Sequence, residues 1–215
     1  MRKKGGMSVK KAVQRAWYFV WEEDSLASWL VNVVLAFIII KFLVYPALGF
    51  ALGTTAPIVA VVSGSMEHDS AFESFWSDAT CCNYACSRSE PQGPKYEAKN
   101  ISREVFSEFQ FVNGFNKGDI MILYSPKNAV VGDVIVYIVP NRPYPIIHRV
   151  ISIDEPTEVD GKRLFWTKGD HNCDIGEFEK GIPEEHVIGK AVWRVPFLGW
   201  VKIVAVSLLQ VFIGG

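Results

Sequence analysis

From Trp29 to Gly53 the chain runs through 25 residues whose only charge is Lys41, more than the ~20 apolar residues a helix needs to cross a bilayer core. The run predicts a transmembrane helix over residues 25–53. Asp24 and Ser25 stand where an N-cap belongs, and Trp17, Tyr18, Trp21 and Trp29 suit the interfacial belt. Pro46 predicts a kink in the outer part of the helix, and Lys41 must snorkel or face a partner. Beyond the helix the pattern changes to short runs rich in Val, Ile, Phe, Trp and Tyr. Pro57–Val62, Asp119–Tyr124, Asp133–Val139, Ile146–Ile153, Arg163–Thr167 and Val187–Val195 read as strands. Turn chemistry separates them at Ser125, Pro126 and Asn128, at Pro140–Pro145 and at Asp160-Gly161. This spacing predicts an antiparallel β-sandwich or barrel-like body rather than βαβ units. Residues 67–118 interrupt it as a long insertion with little periodicity and a short helix over Ile101–Phe111. The apolar C-terminal stretch Phe197–Ile213 would span only ~25 Å as a helix, so a short returning helix and a helix lying in the interface remain alternatives.

The fold class expected is therefore mainly β: a membrane-anchored antiparallel β-rich domain behind an N-terminal transmembrane helix. Four segments follow: a basic N-terminus (1–24), the transmembrane helix (25–53), a β-rich domain (54–196, with the insertion 67–118) and an apolar, membrane-associated tail (197–215). Ala51-Leu52-Gly53 would pass as a small-x-small cleavage site, but the apolar stretch far exceeds the ~7–15 residues of a signal-peptide core, which favours an uncleaved anchor.

Charge sets the orientation. Arg2, Lys3, Lys4, Lys10, Lys11 and Arg15 precede the first acid, Glu22, so the N-terminus stays in the cytoplasm and the chain after about residue 54 lies outside, at the cell membrane. The net charge of −1 over 215 residues offers no basic footprint for nucleic acid. An outside location is oxidising, and Cys81, Cys82, Cys86 and Cys173 permit two disulfides in three pairings, with vicinal Cys81–Cys82 disfavoured by strain. A zinc site joining these thiols to His68 or His171 matches no standard spacing, and neither a metal nor a cofactor is expected.

The stretch Val61-Val62-Ser63-Gly64-Ser65-Met66 places two hydroxyls directly after an apolar strand, close to the bilayer. Ser65 is the candidate nucleophile, which requires a base in reach and a group to orient that base. His148, inside a strand-like run, supplies an imidazole able to take the serine proton and return it to a leaving amine. Asp170, after Gly169, can hold the imidazole tautomer, and Asp174 could do the same or support it from farther out. The backbone N–H of Ser65 and the hydroxyl of Ser63 are candidate oxyanion donors. His68, three residues from Ser65, is a second candidate base without an evident partner. His171 and His186 read as turn residues, and Arg149 points to the sheet face opposite His148.

Ser63-Gly64-Ser65-Met66 behind a transmembrane helix, followed in order by Gly118-Asp119, Gly132-Asp133, Ile147-His148-Arg149-Val150 and Lys168-Gly169-Asp170, resembles the type I signal peptidases. Histidine at 148, where bacterial members use lysine, resembles the archaeal and endoplasmic-reticulum branch, and Phe111–Met121 resembles archaeal members in particular. The resemblance covers roughly residues 25 to 200. It implies a β-rich serine endopeptidase that removes signal peptides from secreted preproteins, with Ser65 as nucleophile, His148 as general base, Asp170 as acidic partner and Ser63 as oxyanion contributor. It also implies preprotein signal peptides, the lipid bilayer and the secretion translocon as partners. The chain departs from the family pattern at His68, where proline is common, and at Asp174, which follows Asp170 more closely than the second family aspartate does. A non-catalytic surface domain would share the composition but has no reason to carry these ordered blocks.

Overall fold

A computed structural model of the chain describes residues 9–82, 86–155, 163–201 and 203–204. The chain divides into two compact units, Met1–Leu48 and Gly49–Gly215.

The first unit opens with α1 (Val9–Trp21), followed by α2 (Leu26–Ile39), which runs through a π-helical segment, Ile40–Val44, into α3 (Tyr45–Leu52). Ser25 caps α2, its side chain accepting from the Ser28 N–H at 3.1 Å. Together α2, the π segment and α3 form an unbroken apolar helix over Leu26–Leu52, 27 residues with a mean hydropathy of 2.3, long enough to cross a bilayer. The π segment sits immediately before Pro46, whose missing N–H and ring disturb the preceding turn. The expected response to Pro46 thus takes the form of a widened turn. Lys41 lies in this segment, with its Nζ 5.9 Å and 5.4 Å from the ring centroids of Phe37 and Phe42.

In the second unit β1 (Ile58–Ala60) leads into an irregular lobe built from α4 (Phe72–Ser77), the small hairpin of β2 (Thr80–Cys81) and β3 (Ser89–Glu90), α5 (Gly93–Glu97) and α6 (Arg103–Ser107). The body follows as β4 (Ile120–Tyr124), β5 (Val134–Tyr137), β6 (Ile146–Asp154), β7 (Leu164–Lys168), β8 (Ile182–Pro183) and β9 (Val187–Val195). With β1 these six strands form one seven-stranded antiparallel sheet in the order β1-β4-β9-β5-β6-β7-β8. Register shifts interrupt the β4/β9, β5/β9 and β6/β7 pairs, and such bulges bend and twist a sheet. The mainly β, antiparallel class expected from the turn spacing is the one observed. Each of the six strands read from the sequence lies within about two residues of an observed one at either end, whereas β2, β3 and β8 are too short to carry a pattern. The Asp160-Gly161 turn lies outside the described residues, as do 205–215 of the apolar tail.

Central β5 is buried on both sides. Alternation sends Val134 and Val136 into one core with Val61, Met66, Phe115 and Met121, and Ile135 and Tyr137 into a second with Val150, Phe165 and Ile182. The weakly patterned insertion has a core of its own, in which Phe75, Trp76, Tyr96, Ile101 and Phe106 pack against Ile151 of β6. The helix expected over Ile101–Phe111 is shorter, because Ser102 caps it through the Val105 N–H and aromatic packing governs the rest. At Gly118 the chain turns with φ +93°, and a Cβ there would strike the Trp200 indole, so only glycine serves.

Disulfides join Cys81 to Cys86 and Cys82 to Cys173. The second spans 91 residues and ties the lobe to the segment after β7. Closing a loop of that size is worth on the order of 2–5 kcal/mol. The Cys82→Ser/Cys173→Ser variant of the full chain in detergent should unfold at lower urea, with stability reduced by about that amount. An unchanged urea midpoint would mean that the bridge contributes nothing to the fold.

Candidate active site

The segment after β1 stays paired to the sheet as far as Val61, whose N–H donates to Asp119 O and whose carbonyl accepts from Gly118 N–H, both at 2.9 Å. Ser63, Gly64 and Ser65 then rise out of it, and Met66 drops back, fully buried, into the core. Ser65 O accepts from the His171 N–H at 2.9 Å and Met66 O from the Phe115 N–H at 3.0 Å, while the Glu67 carboxylate accepts from the Lys117 N–H at 2.8 Å. The serine thus stands on a loop fixed from three directions. Its Oγ lies 3.2 Å from Ser63 Oγ and 2.9 Å from His148 Nε2.

His148 comes from β6, where it is 4% exposed. Its other nitrogen, Nδ1, lies 2.5 Å from Glu179 Oε1. Glu179 is carried by a single 3-10 turn, Glu177–Glu179, and is 1% exposed. The carboxylate is aimed by two backbone donors, Gly169 N–H to Oε1 at 3.0 Å and Gly176 N–H to Oε2 at 2.6 Å. Burial pushes its pKa up, but the imidazole and the two N–H groups outweigh burial and hold it below the ordinary glutamate value. Gly169 also matters for space, since a Cβ there would sit 2.8 Å from His148 Nε2.

Asp170, expected at the imidazole, is elsewhere. Its carboxylate accepts from Arg149 Nε at 3.1 Å and Nη2 at 2.7 Å, from Tyr96 Oη at 2.7 Å and from His68 Nε2 at 3.0 Å. Strand alternation is the reason: Arg149 follows His148, faces the other side of the sheet, and holds Asp170 there. Glu179 takes the place beside the imidazole that the sequence reading gave to Asp170. The remaining sequence candidate, Asp174, is exposed and pairs with Arg88 at 2.5 Å and Lys95 at 3.6 Å, with no contact to His148. His68 is stacked on Phe75, ring centroids 3.7 Å apart, and its bond to Asp170 sets it apart from the serine hydroxyl. Glu179 was missed because the family pattern points to a second aspartate, and a glutamate in a short turn carries no mark of its own in the sequence.

The pair Ser65 and His148 opens into a cleft of about 440 Å³ lined by Ala60, Val62, Ser63, Tyr144, Ile146 and Phe178, among others. At its rim the Arg142 guanidinium lies 3.9 Å from the Phe178 ring centroid. The walls are mostly apolar, with hydroxyls and imidazole gathered at one place, which is how a site that binds an extended peptide and reacts at one atom is organised.

No family model matches the chain. Among curated proteins it is 32% identical over 118 residues to the signal peptidase complex catalytic subunit SEC11 of Plasmodium falciparum, covering 47% of this chain and 63% of that protein. With the sec11 subunit of Schizosaccharomyces pombe it shares 29% identity over 170 residues, 74% of this chain and 72% of that protein. With human SEC11C it shares 34% over 97 residues, 42% of this chain and 50% of that protein. The chain spans less than two thirds of the Plasmodium and human proteins. Over these stretches the chain is similar to catalytic subunits of the signal peptidase complex. All three relatives are eukaryotic, and the archaeal likeness read from Phe111–Met121 finds no support among them.

The buried charges make stability depend on pH. Burial pushes the Asp170 carboxyl up, but Arg149 and His68 outweigh it and hold the group far below the ordinary aspartate range. A folded value below the unfolded one means that the stabilisation is complete above the unfolded value, about 3.9, and is lost as pH falls toward the folded value. Glu179 acts in the same direction. Urea midpoints of the full chain in detergent should fall progressively below about pH 4. Asp170→Asn should be less stable at neutral pH and show a shallower acid limb; an acid limb of unchanged depth would place the acid sensitivity in other groups.

Proposed function

We propose that this chain is a membrane-anchored serine endopeptidase that removes N-terminal signal peptides from secreted preproteins. The observation that carries this is the 2.9 Å contact between Ser65 Oγ and His148 Nε2 at the floor of an open cleft, with a buried carboxylate on the far side of the imidazole. The names of the relatives as signal peptidase catalytic subunits supply the substrate class.

In this reading His148, protonated at Nδ1 toward Glu179, accepts the Ser65 proton at Nε2 as Oγ attacks the scissile carbonyl. The imidazolium that forms is stabilised by Glu179, and it returns the proton to the leaving amine. The backbone N–H of Ser65 and the Ser63 hydroxyl, 3.2 Å from the nucleophilic oxygen, stabilise the developing oxyanion. Water admitted through the open cleft then hydrolyses the acyl-enzyme by the same route. Ala60, Val62 and Ile146 offer apolar walls for small side chains just before the cut. Asp170 and Asp174 have no part in this proton path; Asp170 holds the scaffold beneath it.

The segments keep the assignments expected from sequence: 1–24 cytoplasmic, 25–53 spanning, 54–196 catalytic on the outer face of the cell membrane, and 197–215 membrane-associated. Two disulfides in the second unit support an oxidising side. A substrate held in the same bilayer by its own apolar segment would meet this site at raised effective concentration. The names of the relatives place them in a complex, so partner subunits, and the secretion translocon beside them, belong to this reading as well.

Cleavage of a full-length preprotein by the liposome-reconstituted chain is the direct test. Ser65→Ala and His148→Ala should each lose on the order of 10⁶ in rate, and the double variant should lose no more than either. Cleavage by Ser65→Ala at the wild-type rate would remove this serine from the chemistry. Glu179→Gln should lower kcat by on the order of 10⁴ while the chain stays folded, because the wrong tautomer is then favoured. Full activity in Glu179→Gln would return the orienting role to another carboxylate.

A further inference from the structure

Helix α1 has a surface that the proposed proteolysis does not use. Val9, Val13, Trp17 and Trp21 recur every four residues and so form a single stripe along one side. All four are exposed, between 62% and 79%, and the two indoles stand together with centroids 5.7 Å apart. Lys10 lies at the edge of the stripe, Lys11, Gln14, Arg15 and Tyr18 lie around the remaining exposed surface, and the helix contains no acid.

The C-terminal end of α1 is tied to the base of the apolar helix. Ser28 Oγ donates to Phe19 O at 2.5 Å, and Asn32 Nδ2 donates to Val20 O at 2.8 Å. These bonds satisfy carbonyls that a helix end leaves without intrahelical partners, and they use an amide that would otherwise face hydrocarbon. Asn32 is six residues beyond Leu26, roughly 9 Å along the helix axis. The end of α1 is therefore fixed within the depth of a headgroup and upper acyl region at the cytoplasmic end of the span.

We propose that α1 is an in-plane membrane anchor that lays Val9, Val13, Trp17 and Trp21 among the upper acyl chains and sets Lys10, Lys11 and Arg15 against anionic lipid headgroups. The proposal rests on the reading of Leu26–Leu52 as a transmembrane helix. An indole-rich apolar stripe beside a polar face that carries basic residues and no acid is the composition that interfacial helices use, and Arg2, Lys3 and Lys4 just ahead of it add attraction to an anionic surface. The consequence is a transmembrane helix held by a second, lateral contact that resists rotation and tilt.

The test uses the full chain in nanodiscs, which leave both membrane faces open. Single cysteines are introduced and modified with a water-soluble maleimide; the four native cysteines are paired as disulfides. In discs containing phosphatidylglycerol, Val13→Cys should react about tenfold more slowly than Gln14→Cys. In phosphatidylcholine discs, or with Lys10, Lys11 and Arg15 changed together to Gln, that difference should shrink. Phe37→Cys, within the spanning helix, serves as the control. Equal rates at 13 and 14 with Phe37→Cys protected would overturn the in-plane anchor while leaving the span intact. Protection of Val13→Cys that is the same in both lipids would overturn the anionic-lipid preference, and free reaction of Phe37→Cys would remove the transmembrane reading itself.

Discussion

Arg149 and Asp170 meet with no solvent between them, and most of the second unit is arranged so that they can. The guanidinium is fully buried. It is shared among the Asp170 carboxylate and the carbonyls of Gln110, Phe111 and Gly132, at 2.9, 2.9 and 3.0 Å for the three carbonyls, and it lies 4.8 Å from the centroid of the Phe106 ring. Desolvating two charges costs several kcal/mol each, so such a pair stabilises only when its remaining hydrogen-bonding capacity is filled. Here it is filled from two places: the turn before β5, through Gly132, and the lobe, through Gln110, Phe111, Tyr96 and His68. The pair therefore does more than neutralise itself, because it makes the lobe and the sheet one structure.

That arrangement explains why a long, weakly patterned insertion sits against the candidate site. The lobe's polar and covalent ties to the body fall largely on the few residues that follow β7. Tyr96 and His68 reach Asp170, Gln92 accepts from Lys168 Nζ at 2.7 Å, Arg88 and Lys95 pair with Asp174, and Cys82 is bonded to Cys173. The same short segment supplies His171 N–H to the Ser65 carbonyl and Gly169 N–H to Glu179. Lys168 bears the electrostatic strain of this packing: burial lowers its pKa to about 8 despite the nearby carboxylates. His68 stands where the family commonly has proline. A proline would stiffen the chain by its ring, whereas His68 fixes the loop after Ser65 by stacking on Phe75 and bonding to Asp170.

Two histidine–carboxylate pairs thus lie on the two sides of one strand's neighbourhood with different duties. His148 lines the cleft, with one imidazole nitrogen 2.9 Å from Ser65 Oγ and the other beside the buried Glu179. His68 and Asp170 are closed in by Tyr96, Phe75 and Arg149. Pairing a histidine with a carboxylate does not by itself define a catalytic unit; access to a nucleophile and to an open cleft does.

The sequence by itself determined the elements and their faces. Alternation and turn residues located the long strands, the 25-residue apolar run located the spanning helix, and the order of short motifs brought Ser65 and His148 to notice together. Those features are local, written in periods of two and 3.6 residues. Alternation even placed Arg149 on the face opposite His148, but the further consequence, that Asp170 would follow Arg149 to that face, depends on how the chain turns after β7. Only the tertiary structure decided that Glu179 rather than Asp170 reaches the imidazole, that Cys82 pairs with Cys173, and that Phe75, Trp76, Tyr96 and Phe106 form a core inside the insertion. Each of these depends on which residues meet across tens of positions of chain. A carboxylate's reach, a disulfide partner and an aromatic cluster are set by three-dimensional proximity, which no spacing along the sequence encodes.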